Sequence, residues 1–346
     1  MDALLTRIDA EKKQVAKLKF GYDIETDWTM FTTCNYACDY CFFDAEALGK
    51  KLEVFASNEQ WQHAFDNTGL TWLIHLTGGE PFILPSFVDL CNKLSQKHFI
   101  SLNSNLTRPS VKDFAEKIDP SRVSMINASF HPIEREKRRG YDVFVKNYHS
   151  LKNRGFNIMA TMVGDPKALM QFDEISKLLE PEGIVLVPKL MRGLVDGKVY
   201  PQAYSCIEKD IFKKASIAAR LAYQPMLESM PEPPTINPFD DDSRLDGLMD
   251  FRGMMCGSGS RFVIMNEKGD IIQCPSKVMG NLLEGTFQIA KQDIVCNSRY
   301  CYYFCMKYAN TTESKEIIKL RKGALAVSSV LQNVIVQFKS KVKLSG

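Results

Sequence analysis

Between residues 71 and 190, short apolar runs alternate with amphipathic stretches, and this alternation constrains the fold more than any other feature of the chain. The runs are TWLIHLT (71–77), HFISLNS (98–104), VSMINASF (123–130), FNIMATMVG (156–164) and GIVLVPKL (183–190). Each has the length and the β-branched or aromatic content of a strand. Between them, Phe87 to Lys97, Ser110 to Lys117, Tyr141 to Arg154 and Ala168 to Glu180 carry apolar residues at helical spacing. A further strand is expected through Asp27 to Phe31. Strands that alternate with helices form parallel βαβ units, because a parallel crossover needs roughly the length of a helix. Six such units predict an α/β fold, an open partial (β/α)6 barrel of the TIM type. Chemistry is then expected at the C-terminal ends of the strands.

The pattern is expected to break near Pro225, which closes a core over 1–225 that opens with a charged amphipathic helix. The Pro- and Asp-rich stretch PEPPTINPFDDDSRLDG (231–247) reads as a linker, taken as 226–250. Residues 251–310 then read as a small cysteine-rich domain, with a hairpin around Glu267, Lys268, Gly269 and Asp270. Residues 311–346 show helical spacing at Leu331, Val334, Ile335 and Phe338 and read as a basic amphipathic helix. The net charge of +3 is uneven: residues 312–346 carry seven Lys/Arg against two Glu, a net of +5, so the remainder sits at −2. A nucleic-acid enzyme would spread basic charge over its catalytic body, so no nucleic-acid partner is expected. The basic tail is expected to cap the open barrel or pack on the auxiliary domain, with a membrane surface or a partner as the alternative, and no membrane partner is expected. No apolar stretch reaches the length of a membrane span, and the N-terminus lacks a signal peptide's apolar core, so a cytoplasmic protein is expected.

Ten cysteines in a chain of this kind point to metal or catalysis rather than to disulfides. Cys34, Cys38 and Cys41 stand in TTCNYACDYCFF, a loop short enough to wrap three thiolates around one iron–sulfur cluster and leave one iron open. Structural zinc would require four ligands, and no fourth Cys or His follows nearby. About forty residues on, at the end of the next strand, LTGGEP (76–81) places Gly78, Gly79 and Glu80. The glycines would let backbone approach a ligand closely, and Glu80 would accept a hydrogen bond from a cationic amine. Taken alone, this could be a simple Gly-rich turn. Five more cysteines, Cys256, Cys274, Cys296, Cys301 and Cys305, follow the linker, while Cys91 falls on an apolar helical face and reads as core.

The three-cysteine loop and the Gly-Gly-Glu segment resemble the signatures of the radical S-adenosylmethionine superfamily over roughly residues 20 to 210. The resemblance implies a 4Fe–4S cluster on Cys34, Cys38 and Cys41, whose open iron chelates S-adenosylmethionine. Tyr40 would pack beside the adenine, with Gly78, Gly79 and Glu80 also against the cofactor. Asn103, Ser104 and Asn105 end the third strand, where the family carries polar residues near the cofactor. Ser129 resembles a ribose-contacting serine; each of these could equally be a cap. His131 reads as a loop histidine satisfied by its neighbours. The C-terminal spacing resembles the auxiliary-cluster domains called SPASM and twitch. Five cysteines imply one auxiliary iron–sulfur cluster, a 4Fe–4S cluster on Cys256, Cys274, Cys301 and Cys305 with Cys296 spare or alternative, in a domain over the barrel mouth. A zinc ribbon is the other reading of that segment. Cys206, beyond the sixth strand, is a candidate hydrogen donor if it lies at the mouth.

These features imply an enzyme that cleaves S-adenosylmethionine to a 5′-deoxyadenosyl radical and abstracts hydrogen, with a flavodoxin- or ferredoxin-type electron donor. A small polar metabolite, sugar-like or aminocyclitol-like, is the expected substrate, since only about thirty residues precede Cys34. An oxidation with the auxiliary cluster as acceptor would follow. A maturase that crosslinks or epimerises a ribosomal peptide is the alternative, and a non-catalytic electron-transfer protein is a third.

Overall fold

The computed structural model describes residues 21–41, 43, 51–230, 244–246, 250–298 and 301. The expected opening and C-terminal helices, nearly all of the Pro/Asp-rich stretch and Cys305 lie outside them. Six parallel strands follow one another in both sequence and space: β1 (Ile24–Thr29), β2 (Trp72–Thr77), β3 (Phe99–Ser104), β4 (Val123–Ser129), β5 (Ile158–Val163) and β6 (Leu186–Lys189). The helices between them are α1 (Asn58–Asn67), α2 (Phe87–Leu94), α3 (Ser110–Lys117), α4 (Pro132–Arg138) and α5 (Tyr141–Asn153), then α6 (Pro166–Met170) and α7 (Phe172–Leu179). This is the partial-barrel architecture expected from the alternation. Where a single helix was expected from Ala168 to Glu180, the chain leaves helical geometry at Gln171 and starts again.

Period-two alternation sorts every strand residue to one face. Trp28, Trp72, Ile74, Leu76, Ile100 and Leu102 point to the helices and join one large core. Trp28 meets Trp61 of α1 at 4.5 Å between ring centroids, and Phe65 meets Trp72 at 5.4 Å. Burying a side chain of this size contributes about 2–3 kcal/mol, and the sheet face carries a row of them. The opposite, inner face takes the alternate positions: Glu25, Asp27 and Thr29 on β1, Leu73, His75 and Thr77 on β2, Ser101 and Asn103 on β3.

Two features depart from the sequence reading. First, the chain does not break at Pro225. That residue lies inside α8 (Cys206–Ser229), which opens with a capping box between Ser205 and Glu208. The Leu221 carbonyl that loses its helical partner to Pro225 sits on an exposed turn, where water can replace it. Second, beyond the short strands β7 (Gly193–Val195), β8 (Lys198–Tyr200) and β9 (Met255–Cys256), the hairpin of β10 (Phe262–Met265) and β11 (Asp270–Gln273) is part of the main sheet. Strand β10 pairs in parallel with the free edge of β1, and β11 and β12 (Lys277–Asn281) extend it to nine strands. The pairing of Phe262 with Glu25 sets β10's start at the N-terminal end of β1. Cys256, just before that start, and Cys274, just after antiparallel β11, are therefore at the end of the barrel opposite the mouth. Among the described residues, no helix is long and apolar enough to cross a membrane.

His98 shows how little room the core leaves for charge. Its side chain is fully buried, Nδ1 accepts the Trp72 N–H at 3.3 Å, and Nε2 lies 3.1 Å from Asp66 Oδ1. Burial is the larger influence and holds the imidazole's pKa below its usual value, against the pull of Asp66. The unfolded chain therefore binds this proton more readily, so the stability His98 contributes is present above about pH 6.5 and is lost as pH falls. The thermal midpoint should drop further between pH 7.5 and pH 5 in the wild type than in His98→Gln, as followed by circular dichroism.

Candidate active site

The mouth is built by two loops that run side by side beyond the strand ends. The Met30 N–H donates to the Thr77 carbonyl at 3.0 Å, Gly79 N–H to Phe31 O at 2.8 Å, and Glu80 N–H to Thr33 O at 3.0 Å. These bonds continue the β1–β2 ladder to the residue before Cys34. The approach is so close that a Cβ on Gly78 would run into the Phe31 carbonyl oxygen, and one on Gly79 into that of Thr33. Gly78 also has φ +132°, which a side chain would strain. The space left by the two glycines is thus filled by the chain's own backbone.

Glu80 is almost fully buried and caps the 3-10 turn Pro81–Ile83. Its Oε1 accepts from Phe82 N–H at 3.1 Å and from the Ser104 hydroxyl at 2.8 Å, and Oε2 accepts from Asn105 N–H at 2.7 Å. Burial raises its pKa in spite of these three donors. The Asn105 amide donates to Asn35 Oδ1 at 2.9 Å, Asn35 donates to Thr107 Oγ1 at 2.8 Å, and Thr107 donates to Asn105 Oδ1 at 2.6 Å. This closed ring fastens the residue next to Cys34 to the end of β3. Buried Arg135 donates to the carbonyls of Asn105, Ser129 and Gly140. Its guanidinium lies 4.1 Å from the Phe144 ring centroid and 5.9 Å from that of Tyr36. Burial lowers its pKa to about 10, so it stays charged.

Cys34, Cys38 and Cys41 are free thiols, each partly exposed. Burial pushes Cys34 up to about 11 and Cys38 up to about 12, and the neighbouring Cys41 sulfur raises both further. Neighbouring thiols such as Cys34 and Cys38, which resist ionisation alone, are suited to a strongly positive centre, which reverses that penalty. Among the described residues no group of side chains converges as ligands of a single ion would. In a cubane each thiolate takes a different iron, so its sulfurs stay apart, and the donor set fits a 4Fe–4S cluster. The Tyr40 hydroxyl lies 2.9 Å from His131 Nδ1, and Cys38 Sγ lies 3.5 Å from the same atom. Burial holds His131 down to about 3, so it is neutral against the loop, as a histidine satisfied by its neighbours would be.

The other predicted positions are distributed along the inner face. Asn103 Oδ1 accepts from Asn127 at 2.7 Å, and Asn127 Oδ1 accepts from the Thr161 hydroxyl at 2.7 Å. Ser129 pairs in register with Thr161. Exposed Cys206 opens α8 and belongs to none of these networks. At the far end, Cys256, Cys274, Cys296 and Cys301 form one group. Burial, then Cys301, Cys256 and Cys296, raise Cys274 to about 11. Cys296 N–H donates to Met254 O at 2.8 Å, and Cys274 N–H donates to Ser258 Oγ at 2.9 Å. Cys296, expected as the spare thiol, thus stands with the other three. Sequence reasoning missed Tyr22, Glu25, Asp27, His75 and Ser101. Part of the signal was present as polar residues at every second position, Glu25, Asp27 and Thr29 in IETDWT, His75 and Thr77 in WLIHLT, and Ser101 and Asn103 in FISLNS.

Residues 28–179 match the family model described as the Radical SAM superfamily. Curated relatives include a "Probable GTP 3′,8-cyclase" of Saccharolobus islandicus (strain M.14.25 / Kamchatka #1), 26% identical over 144 residues, 39% of this chain and 45% of that one. A second, from Saccharolobus solfataricus, is 24% identical over the same 144-residue length. The chain spans less than half the length of these relatives. Among solved structures, Streptococcus suis SuiB bound to S-adenosylmethionine is similar with a TM-score of 0.50 at 13% identity, over 82% of this chain and 69% of that one. The structure of anSMEcpe with bound AdoMet gives a TM-score of 0.52 at 14% identity, over 76% of each chain. These similarities show the fold.

The mouth geometry predicts a contrast between glycines. Gly79→Ala should destabilise by more than about 4 kcal/mol, because backbone must move. Gly69→Ala, at φ +71° with no neighbour within 4 Å, should cost only about 1 kcal/mol. Glu80→Gln turns an amide donor toward a donor and should cost about 1–3 kcal/mol, besides weakening cofactor binding. Urea unfolding midpoints and binding of S-adenosylmethionine check both.

Proposed function

We propose, from the premise that residues 28–179 are a radical SAM domain, that this chain is an enzyme acting on a small polar metabolite, sugar-like or aminocyclitol-like. The observation that supports it best is the mouth itself, where the loop bearing Cys34, Cys38 and Cys41 is stitched to Gly78–Glu80 above a polar inner face. When bound, a 4Fe–4S cluster and S-adenosylmethionine supply one electron to the sulfonium and a 5′-deoxyadenosyl radical that takes hydrogen from the substrate. Cys34, Cys38 and Cys41 would hold that cluster. Tyr40, Gly78, Gly79, Asn103 and Ser129 would border the cofactor. Glu80 and Asn105 act as positioning residues in this reading, because their side chains are already bonded within the mouth. The barrel walls keep water and stray hydrogen donors from the reacting atoms.

Cys256, Cys274, Cys296 and Cys301 would hold one auxiliary iron–sulfur cluster at the opposite end. The six residues of β1, which lies between the two groups, alone span about 20 Å at ~3.3 Å per residue. A substrate between them could give up hydrogen on one side and an electron on the other, which makes a net oxidation the expected reaction. The curated relatives named as GTP cyclases support a small substrate over a peptide. A flavodoxin- or ferredoxin-type donor and a cytoplasmic setting complete the reading.

Anaerobically reconstituted protein should bind about eight irons, and replacing Cys34, Cys38 and Cys41 with Ala should remove about half. With dithionite, the wild type should form 5′-deoxyadenosine and the triple variant none. Full iron content and continued cleavage in the variant would overturn the assignment, and no cleavage by the wild type would leave an electron-transfer protein. Cys256→Ala should lose the second set of irons, keep cofactor cleavage and lose product oxidation. Product formed at the wild-type rate would exclude electron acceptance there.

A further inference from the structure

We propose that Asp27, flanked by His75 and Ser101 on the inner face, is the subsite that receives a cationic amine of the substrate. This rests on the radical SAM reading above and narrows its substrate class. Asp27 projects from the face of β1 opposite Trp28, which packs on α1. In register it faces His75 of β2 on one side and Ile264 of β10 on the other. Ile264 packs with the cluster that contains Cys256, Cys296 and Cys301. Asp27 therefore lies between the mouth loops and the lower cysteines, where a substrate serving both must lie.

The neighbouring polar groups are already committed. Glu25 accepts from the Tyr22 hydroxyl and lies 3.3 Å from His75 Nε2, and His75 Nδ1 contacts the Ser101 hydroxyl. Asp27 alone of this group makes no hydrogen bond among the described residues. Desolvation, partly offset by His75, raises its carboxyl to about 6, which still leaves it mostly ionised at neutral pH. Asp27 is half-buried, so its carboxylate keeps some access to solvent but gains no donor from its protein neighbours. The packing of the inner face does not require a carboxylate there, whereas an ammonium group would provide a charge-assisted hydrogen bond and a counter-ion. Ser101, Asn103, Asn127 and Thr161, on the same face, offer donors and acceptors suited to hydroxyl groups beside that amine.

The test uses the reconstituted full chain with S-adenosylmethionine and measures calorimetric binding at pH 7.5. Ethanolamine and glucosamine are the cationic probes, ethylene glycol and glucose their neutral counterparts, and Gly-Lys-Gly separates a peptide amine from a small-molecule one. The cationic probes should bind at least about tenfold more tightly than the neutral ones, and Asp27→Asn should abolish that preference. Glucosamine binding above Gly-Lys-Gly would support the small-metabolite source, and the reverse a peptide lysine. Unliganded Asp27→Asn should melt no lower than the wild type, because it removes an uncompensated charge. Equal binding of amine and neutral probes, a preference retained in Asp27→Asn, or a midpoint lowered by more than about 5 °C would each overturn the proposal. Formation of 5′-deoxyadenosine by the wild type reads the radical chemistry separately. Cleavage without amine preference sinks only the subsite, and amine preference without cleavage sinks only the radical reading.

Discussion

The contact on which the site depends is the backbone ladder between residues 30–33 and 77–80. Parallel strands normally diverge into loops once their pairing ends. Here three N–H···O bonds carry the pairing past Thr29 and Thr77 to the threshold of Cys34. Only glycine at 78 and 79 permits that approach. The cysteine loop consequently starts from a fixed point rather than from a free end, and a loop with fewer accessible conformations loses less entropy when its thiolates are gathered around a cluster. The Asn35–Asn105–Thr107 ring and the Arg135 guanidinium fix the same loop from the side of β3 and β4. Side chains that a motif would assign to a ligand are in this protein first of all the fastenings of the mouth.

A second constraint comes from polar groups inside a parallel sheet. Strands buried on both faces are usually continuous apolar runs. This barrel instead carries carboxylates, an imidazole, amides and hydroxyls on its inner face, and most of them bond across strands: Thr161 to Asn127, Asn127 to Asn103, His75 to Ser101 and Glu25. Such a network is favourable only when its members are satisfied. The outer face has no such requirement, and there the tryptophans and phenylalanines pack against the helices. The two faces divide the labour of the sheet, one holding the fold together and the other lining a space for chemistry.

Much of this was legible in the sequence. The six strands lie within three residues or so of the runs that announced them, since a parallel strand covered by helices must be apolar at least on its helix-facing side. The spacing of Cys34, Cys38 and Cys41 and the glycine pair announced the mouth because both are local requirements of tight backbone geometry. Less legible was anything that depends on a partner distant in the chain. Nothing near Phe262 says that its strand will pair with the free edge of β1, because an edge accepts any strand of suitable pattern and direction. That pairing moved the C-terminal cysteines from the mouth, where they were expected, to the opposite end of the barrel. Pro225 looked like a break because its missing N–H was weighed without knowing that the Leu221 carbonyl faces solvent.

The sequence by itself determined the order of strands and helices, the three-thiol loop and the glycines beside it, all of which follow from short-range sterics and hydrophobic periodicity. Tertiary structure alone decided which residues share the inner face, that Cys296 joins Cys256, Cys274 and Cys301, and that among the described residues Asp27 has no donor while Glu25 does. The reason is physical: periodicity tells a strand which residues face the same way, but whether a buried polar atom finds a partner depends on register between strands, and register is set by the whole sheet.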